Sequence, residues 1–258
     1  MLLVTGTEKS AERIEAKLHL SLQPLDCPPD LRPGGLYMAQ FYSNSHLLID
    51  DENDGMNVIN LRTGATTHAK VECDLRMSSI ATELTPSESM VAIILSNGRV
   101  IVTTVSKVGC NKRKSTGDKS VERQKVWRWK PVELSAHLAK MIIISGELVM
   151  THNRQDEILR YNKTGKNLDR EELPGGFKPQ GLAKYDKTNI IITGINVVSR
   201  LTYPEFEPVW QTELKHGYGV SVDDQGLIYV GVWIEKKIVV LTSSGKSTSV
   251  FPLQGRYS

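Results

Sequence analysis

An all-β fold, a six-bladed β-propeller built as one domain over residues 1–258, is the architecture this sequence predicts, and three observations carry the prediction. First, an apolar β-run returns about every 40 residues: His46-Leu-Leu-Ile-Asp50, Met90-Val-Ala-Ile-Ile-Leu95, Glu147-Leu-Val-Met150, Ile190-Ile-Ile-Thr193 and Leu227-Ile-Tyr-Val230. That is the period of a four-stranded propeller blade. Second, after three of these runs comes another strand that ends on glycine: Val58-Ile-Asn-Leu-Arg-Thr-Gly64, Ile158-Leu-Arg-Tyr-Asn-Lys-Thr-Gly165 and Ile238-Val-Val-Leu-Thr-Ser-Ser-Gly245. Gly165 and Gly245 stand 80 residues apart, which is two blades, and each supplies the left-handed turn conformation that opens the next strand. Third, glycine and proline cluster between the runs, as in Pro33-Gly-Gly35 and Pro174-Gly-Gly176, where tight turns need them.

Taken in order, Leu2 to Thr5 and the strictly alternating segment Ile14, Ala16, Leu18, Leu20, Leu22 read as strands of a partial blade over 1–35. Five complete four-stranded blades are then expected at 36–72, 78–130, 134–174, 178–214 and 217–254. The partial blade lacks its innermost strand. Unless Pro252 to Ser258 supplies that strand, the chain is expected to be a piece of a longer protein or to be clipped at its N-terminus.

The spacing between Gly64 and Gly165 exceeds two blades by about 20 residues, and the excess falls on a basic hairpin insertion at 107–120. Residues 107–130 hold nine Lys or Arg against Asp118 and Glu122, although the whole chain is only +3. Met1-Leu-Leu-Val is too short for a signal-peptide core, and no run of 18 apolar residues exists, so a cytoplasmic protein with no membrane segment is expected. Cys27, Cys73 and Cys110 show no Cys-x-x-Cys spacing, which supports neither a zinc finger nor a disulfide frame.

The last blade, Gly219-Val-Ser-Val-Asp-Asp-Gln-Gly-Leu-Ile-Tyr-Val-Gly-Val-Trp-Ile-Glu-Lys-Lys-Ile-Val-Val-Leu-Thr-Ser-Ser-Gly245, resembles an NHL repeat. It has the glycine, an alternating strand, Asp-x-x-Gly, an Ile-Tyr-Val strand and a third strand ending in glycine. Gly181 to Thr193 is a looser copy. Val232 and Glu235-Lys-Lys237 depart from the family's Asp and Asn-x-Arg. The resemblance implies an NHL-type propeller, as in the C-terminal module of tripartite-motif (TRIM) proteins, which binds protein or RNA partners. It also implies a role as the substrate-recognition part of a ubiquitin-ligase-like protein. The RING and B-box ligands of those ligases are absent from this sequence.

Catalytic patterns fail on chemistry. Gly245-Lys-Ser247 ends like a P-loop, but Val240 stands where its first glycine belongs. Asp50 to Gly55 opens like a calcium loop, but Leu61 at its twelfth position cannot chelate. No Gly-x-Ser-x-Gly or His-x-x-x-His is present. The reading is therefore a non-enzymatic interaction module without cofactor or obligatory metal. The alternative is a calcium-dependent lactonase or hydrolase of the six-bladed type, for which Asn196 and Asp223 are candidate ligands.

Two surfaces compete for the partner, a protein or an RNA. The basic insertion and its flank offer Lys112, Arg113, Lys114, Lys119, Arg123, Lys125 and Arg128, as a phosphate-binding patch or as a solvated hairpin. Beside them, Trp127 and Trp129 share one strand face, to stack bases or to cover the gap to the next blade. If the resemblance holds, binding falls instead to the turns between second and third strands and between blades. Those turns contain Arg76, His152, Arg154, Lys178, His216, Tyr218, Trp233 and Lys236. Neutralising Lys112, Arg113 and Lys114 together separates the two surfaces. If the insertion grips RNA, a titration will show weaker binding and a salt slope flatter by up to about one unit for each phosphate no longer neutralised. An unchanged slope leaves the stretch a solvated hairpin.

Overall fold

The computed structural model describes residues 36–43, 46–51, 55–60, 63, 66–69, 77–85, 88–95, 97–107, 122–130, 139–152 and 155–252. The chain divides into two compact units, Met1–Asp74 and Leu75–Ser258. In the first, β1 (Leu36–Ser43), β2 (His46–Asp51), β3 (Gly55–Asn60) and β4 (Thr66–Ala69) form one antiparallel sheet in sequence order. The alternating segment Ile14 to Leu22 lies outside the described residues.

The second unit holds four blades of four antiparallel strands. Blade I comprises β5 (Met77–Leu84), β6 (Glu88–Leu95), β7 (Val100–Lys107) and β8 (Glu122–Trp129). Blade II comprises β9 (Ala139–Ile144), β10 (Glu147–His152), β11 (Glu157–Tyr161) and β12 (Asn167–Glu172). Blade III is β13 (Gly181–Lys184), β14 (Asn189–Thr193), β15 (Val197–Thr202) and β16 (Pro208–Glu213). Blade IV is β17 (Gly217–Val222), β18 (Ile228–Val232), β19 (Lys237–Leu241) and β20 (Ser247–Pro252). Their first strands pack in succession, β5 on β9, β9 on β13 and β13 on β17.

This corrects the expected six-bladed ring with five complete blades and one incomplete blade: among the described residues, the propeller has four blades of four strands. A sequence period reports each sheet separately, whereas the number of sheets on one core is set by packing between first strands. That packing is continuous from β5 to β17, and the division between the two compact units falls between Asp74 and Leu75.

The inner runs are unbroken rather than alternating because both of their faces are buried. On β9, Met141 and Ile143 enter a core shared with Ala92, Ile94 and Val102 of blade I, while Ile142 and Ile144 enter one shared with Leu182, Ile190 and Ile192 of blade III. Ile191 turns the other way, toward Val230 and Val239 of blade IV. Full burial of each such side chain contributes about 1.5–3 kcal/mol. Outer strands lack a second neighbour, and every residue of β12 is exposed.

A repeated seat joins neighbouring blades at their outer strands. Trp129 of β8 lies where a side chain on Gly165 would stand, 2.5 Å from the position of its Cβ, and stacks obliquely on Tyr161 with ring centroids 5.0 Å apart. Trp210 of β16 occupies the same relation to Gly245 of blade IV, at 2.7 Å, and its indole N–H donates to the Ser243 carbonyl at 2.8 Å. Thr212 adds a bond to the Gly245 carbonyl at 2.8 Å. Both glycines have positive φ, 87° and 78°, so they serve the turn and the tryptophan at once.

At the edge carrying the turns between first and second strands, Glu83 of β5 ties three blades. Its carboxylate accepts from the Ser145 and Gly146 amides of blade II at 3.0 and 2.7 Å, and from Lys184 Nζ of blade III at 2.6 Å. Burial pushes the Glu83 pKa up, but the Lys184 hydrogen bond, the Gly146 amide, the Lys184 charge and the Ser145 amide together hold it below the ordinary carboxylate value. Nearby, Tyr203 of blade III donates to Glu147 of blade II, which also faces Arg160 Nε at 3.5 Å.

Gly245→Ala puts a methyl group into Trp210 at an unfavourable φ, and a destabilisation of about 2–4 kcal/mol is expected in chemical denaturation. Stability also has a pH signature. Because the folded Glu83 pKa is depressed, its contribution is present above the unfolded value near 4.3 and is lost as pH falls through the folded value. Glu83→Gln is expected to cost about 1–3 kcal/mol at pH 7 and progressively less below pH 4, as followed by melting curves.

Candidate partner-binding groove

The turns between second and third strands and between blades emerge at the other edge, and on blade IV they frame a groove of about 430 Å³. Among the described residues it is lined by Tyr218, Gly219, Gly231, Val232, Trp233, Ile234 and Lys236. Its shape starts from a β-bulge. Gly217 pairs with Val232 and Val220 with Val230, so Tyr218 and Gly219 together oppose Gly231. The bulge is anchored to blade III by Thr193, whose hydroxyl donates to the Tyr218 carbonyl at 2.9 Å. Gly181 permits this approach, because a Cβ there would collide with that same carbonyl.

A tight turn forms the far wall. The Trp233 amide donates to the His216 carbonyl at 3.4 Å, and the Lys236 amide to the Trp233 carbonyl at 3.2 Å. Held this way, Trp233 is 79% exposed and Ile234 63% exposed, while Tyr218 opposite is 51% exposed. Nothing lies within 4 Å of where a Cβ on Gly219 would be, so the floor is open backbone. Lys140, second residue of β9, places Nζ 5.7 Å from the Tyr218 ring centroid, and burial alone pushes its ammonium below the ordinary lysine value. The groove thus offers aromatic and aliphatic surface with cations beside it. Among its described lining residues there is no nucleophile paired with a base.

Of the sequence-derived residues, Tyr218, Trp233 and Lys236 meet in the groove, and His216 adjoins it through its carbonyl. Lys178 is exposed on the turn between blades II and III, its amide bound to Asp156 Oδ1 at 2.5 Å. His152 is buried, 3% exposed, at the end of β10. Arg76 and Arg154 lie outside the described residues, as do Lys112, Arg113, Lys114 and Lys119. Arg123, Lys125 and Arg128 fall on β8, where strand alternation sets Lys125 and Arg128 on opposite faces. Trp127 and Trp129 pack against the core between blades I and II.

Gly219, Gly231, Val232, Ile234 and Lys140 were missed by sequence reasoning. A Trp-Ile pair inside a turn, and a lone lysine heading the apolar run Met141 to Ile144, were the available signals. Asn196 and Asp223 sit in turns at opposite edges of their sheets, Asn196 between β14 and β15 and Asp223 between β17 and β18. Asp223 accepts from the amides of Gln225 and Leu227 and from the Tyr229 hydroxyl. Among the described residues no three His, Cys, Asp or Glu side chains are grouped to hold a metal, and no helix is long and apolar enough to cross a membrane.

No protein-family model and no curated protein sequence matches this chain. Solved structures do match in fold. Virginiamycin B lyase from Staphylococcus aureus superposes with a TM-score of 0.59 at 16% identity, over 89% of this chain and 72% of that one. A nidogen/laminin complex gives 0.55 at 15% identity, over 83% and 78%. Raptor from Chaetomium thermophilum gives 0.58 at 10%, over 84% of this chain and 21% of that one. At these identities the likeness concerns the fold alone, and the fold is a β-propeller.

Proposed function

We propose that this chain is a non-enzymatic interaction module that receives a protein partner in the groove of blade IV. One observation carries the reading: Trp233 and Ile234 stand exposed side by side over a glycine floor, where burying them would be favourable. A contiguous apolar patch rimmed by polar groups is the mark of an interaction site, and tryptophan is among the residues that most often dominate binding energy. The nidogen/laminin complex is a propeller likeness that itself names two proteins in association. A groove of this kind also suits the substrate-recognition end of a ubiquitin-ligase-like assembly, the setting that the NHL resemblance of the last blade implies.

RNA is the weaker partner class, because the groove wall is mostly apolar. The hydrolase alternative finds no support in Asn196 and Asp223, which are held at opposite sheet edges. The test places a photo-crosslinking benzoylphenylalanine at Ile234, and at Leu168 on the exposed outer strand β12 as control, in cells expressing the full chain. A discrete protein adduct from position 234 and none from 168 is expected. An adduct sensitive to ribonuclease, or none at 234, overturns the reading. Micromolar calcium is expected to leave the melting temperature unchanged, whereas a clear rise would favour the enzyme.

A further inference from the structure

We propose that the groove selects a partner segment in which a large apolar side chain has carboxylates close beside it. The inference rests on the protein-binding reading above and adds the chemistry of what is bound. Trp233, Ile234, Val232 and the Tyr218 ring supply apolar wall, and the bare backbone of Gly219 and Gly231 leaves the floor unfilled. At about 430 Å³ the groove lies at the small end of the range for ligand sites, which suits one or two side chains rather than a whole domain surface. Its walls stand out in solvent, Trp233 being 79% exposed, so the occupant lies along the surface as an extended segment would.

Among the described residues, the charged side chains that line or touch this apolar surface are cations. Lys236 lines the groove, Lys140 reaches the Tyr218 ring, and no Asp or Glu is among the described lining residues. The acid of the same turn, Glu235, is already engaged by Lys237. Lys140 is the more telling cation. It heads an inner strand, is partly withdrawn from water, and contacts no carboxylate among the described residues. A desolvated ammonium lacking a counter-ion is unfavourable, and an arriving carboxylate would restore the missing interaction. Apolar anchor and carboxylate would then be read by adjoining surfaces, since Tyr218 belongs to both the groove wall and the Lys140 contact.

A random-peptide phage library panned on the full chain tests this. Sequences enriched on the wild type are expected to carry Trp, Phe or Leu beside Asp or Glu. For a synthetic copy of one, fluorescence polarisation should show about tenfold or greater loss of affinity in Trp233→Ala. Lys140→Met and Lys236→Met should each lose about threefold to tenfold, Lys140→Arg should keep most of the affinity, and added salt should weaken the wild type more than the double methionine variant. Melting curves of every variant confirm that it folds. Enriched sequences without acids, lost in Trp233→Ala but indifferent to both lysines and to salt, overturn the carboxylate inference and leave the protein-binding groove standing. No peptide that depends on Trp233, or poly-uridine RNA bound there in place of peptide, overturns both.

Discussion

A four-stranded sheet with two apolar faces cannot bury either of them by itself, and the organisation of blades I to IV follows from that constraint. Blade II meets it by sending Met141 and Ile143 into blade I and Ile142 and Ile144 into blade III, so its inner strand has no solvent face. Backbones must then approach closely where blades meet. Gly181 faces the Tyr218 carbonyl, and Gly165 and Gly245 lie under tryptophans. A side chain at any of these positions would hold the neighbouring blade away and open the core on which the next depends.

With both faces occupied, polar chemistry is left to the two edges where turns emerge, and the edges are built differently. One is a lattice of ties: Glu83 joins blades I, II and III, Asp223 caps its own turn, and Asp186 accepts from Thr188 and Asn189 and pairs with Arg200. These three acids are committed to amides, hydroxyls and cations. The other edge ends on blade IV in a bulge, two glycines and exposed aromatic rings. Rigid blades thus position a groove whose aromatic side chains stand open to solvent.

The groove was legible only in pieces. Trp233 and Lys236 could be placed on a turn from the order of strands, because turn position follows from strand count, whereas Tyr218, expected in a turn between blades, is the second residue of β17. Lys140 could not be joined to them. It lies 78 residues before Tyr218, and only the packing of β9, β13 and β17 brings its ammonium to that ring. His152 shows the converse. Its place beside a turn suggested exposure, but the end of β10 is covered and the ring is buried.

What the sequence determined by itself were the strands and their turns. The run Ile190 to Thr193 lies in β14, the run Met90 to Leu95 in β6, and Gly165 and Gly245 take the left-handed conformation that their strand-ending positions require. These are properties of a residue and its near neighbours, set by apolar runs and by the steric freedom of glycine. How many sheets share a core was decided by tertiary structure alone, because it depends on packing between first strands, such as β5 and β9, far apart in the chain. The tryptophan seats of Gly165 and Gly245 and the anchoring of the bulge that opens the groove belong to the same class. Each joins residues tens of positions apart, whose meeting no local pattern records.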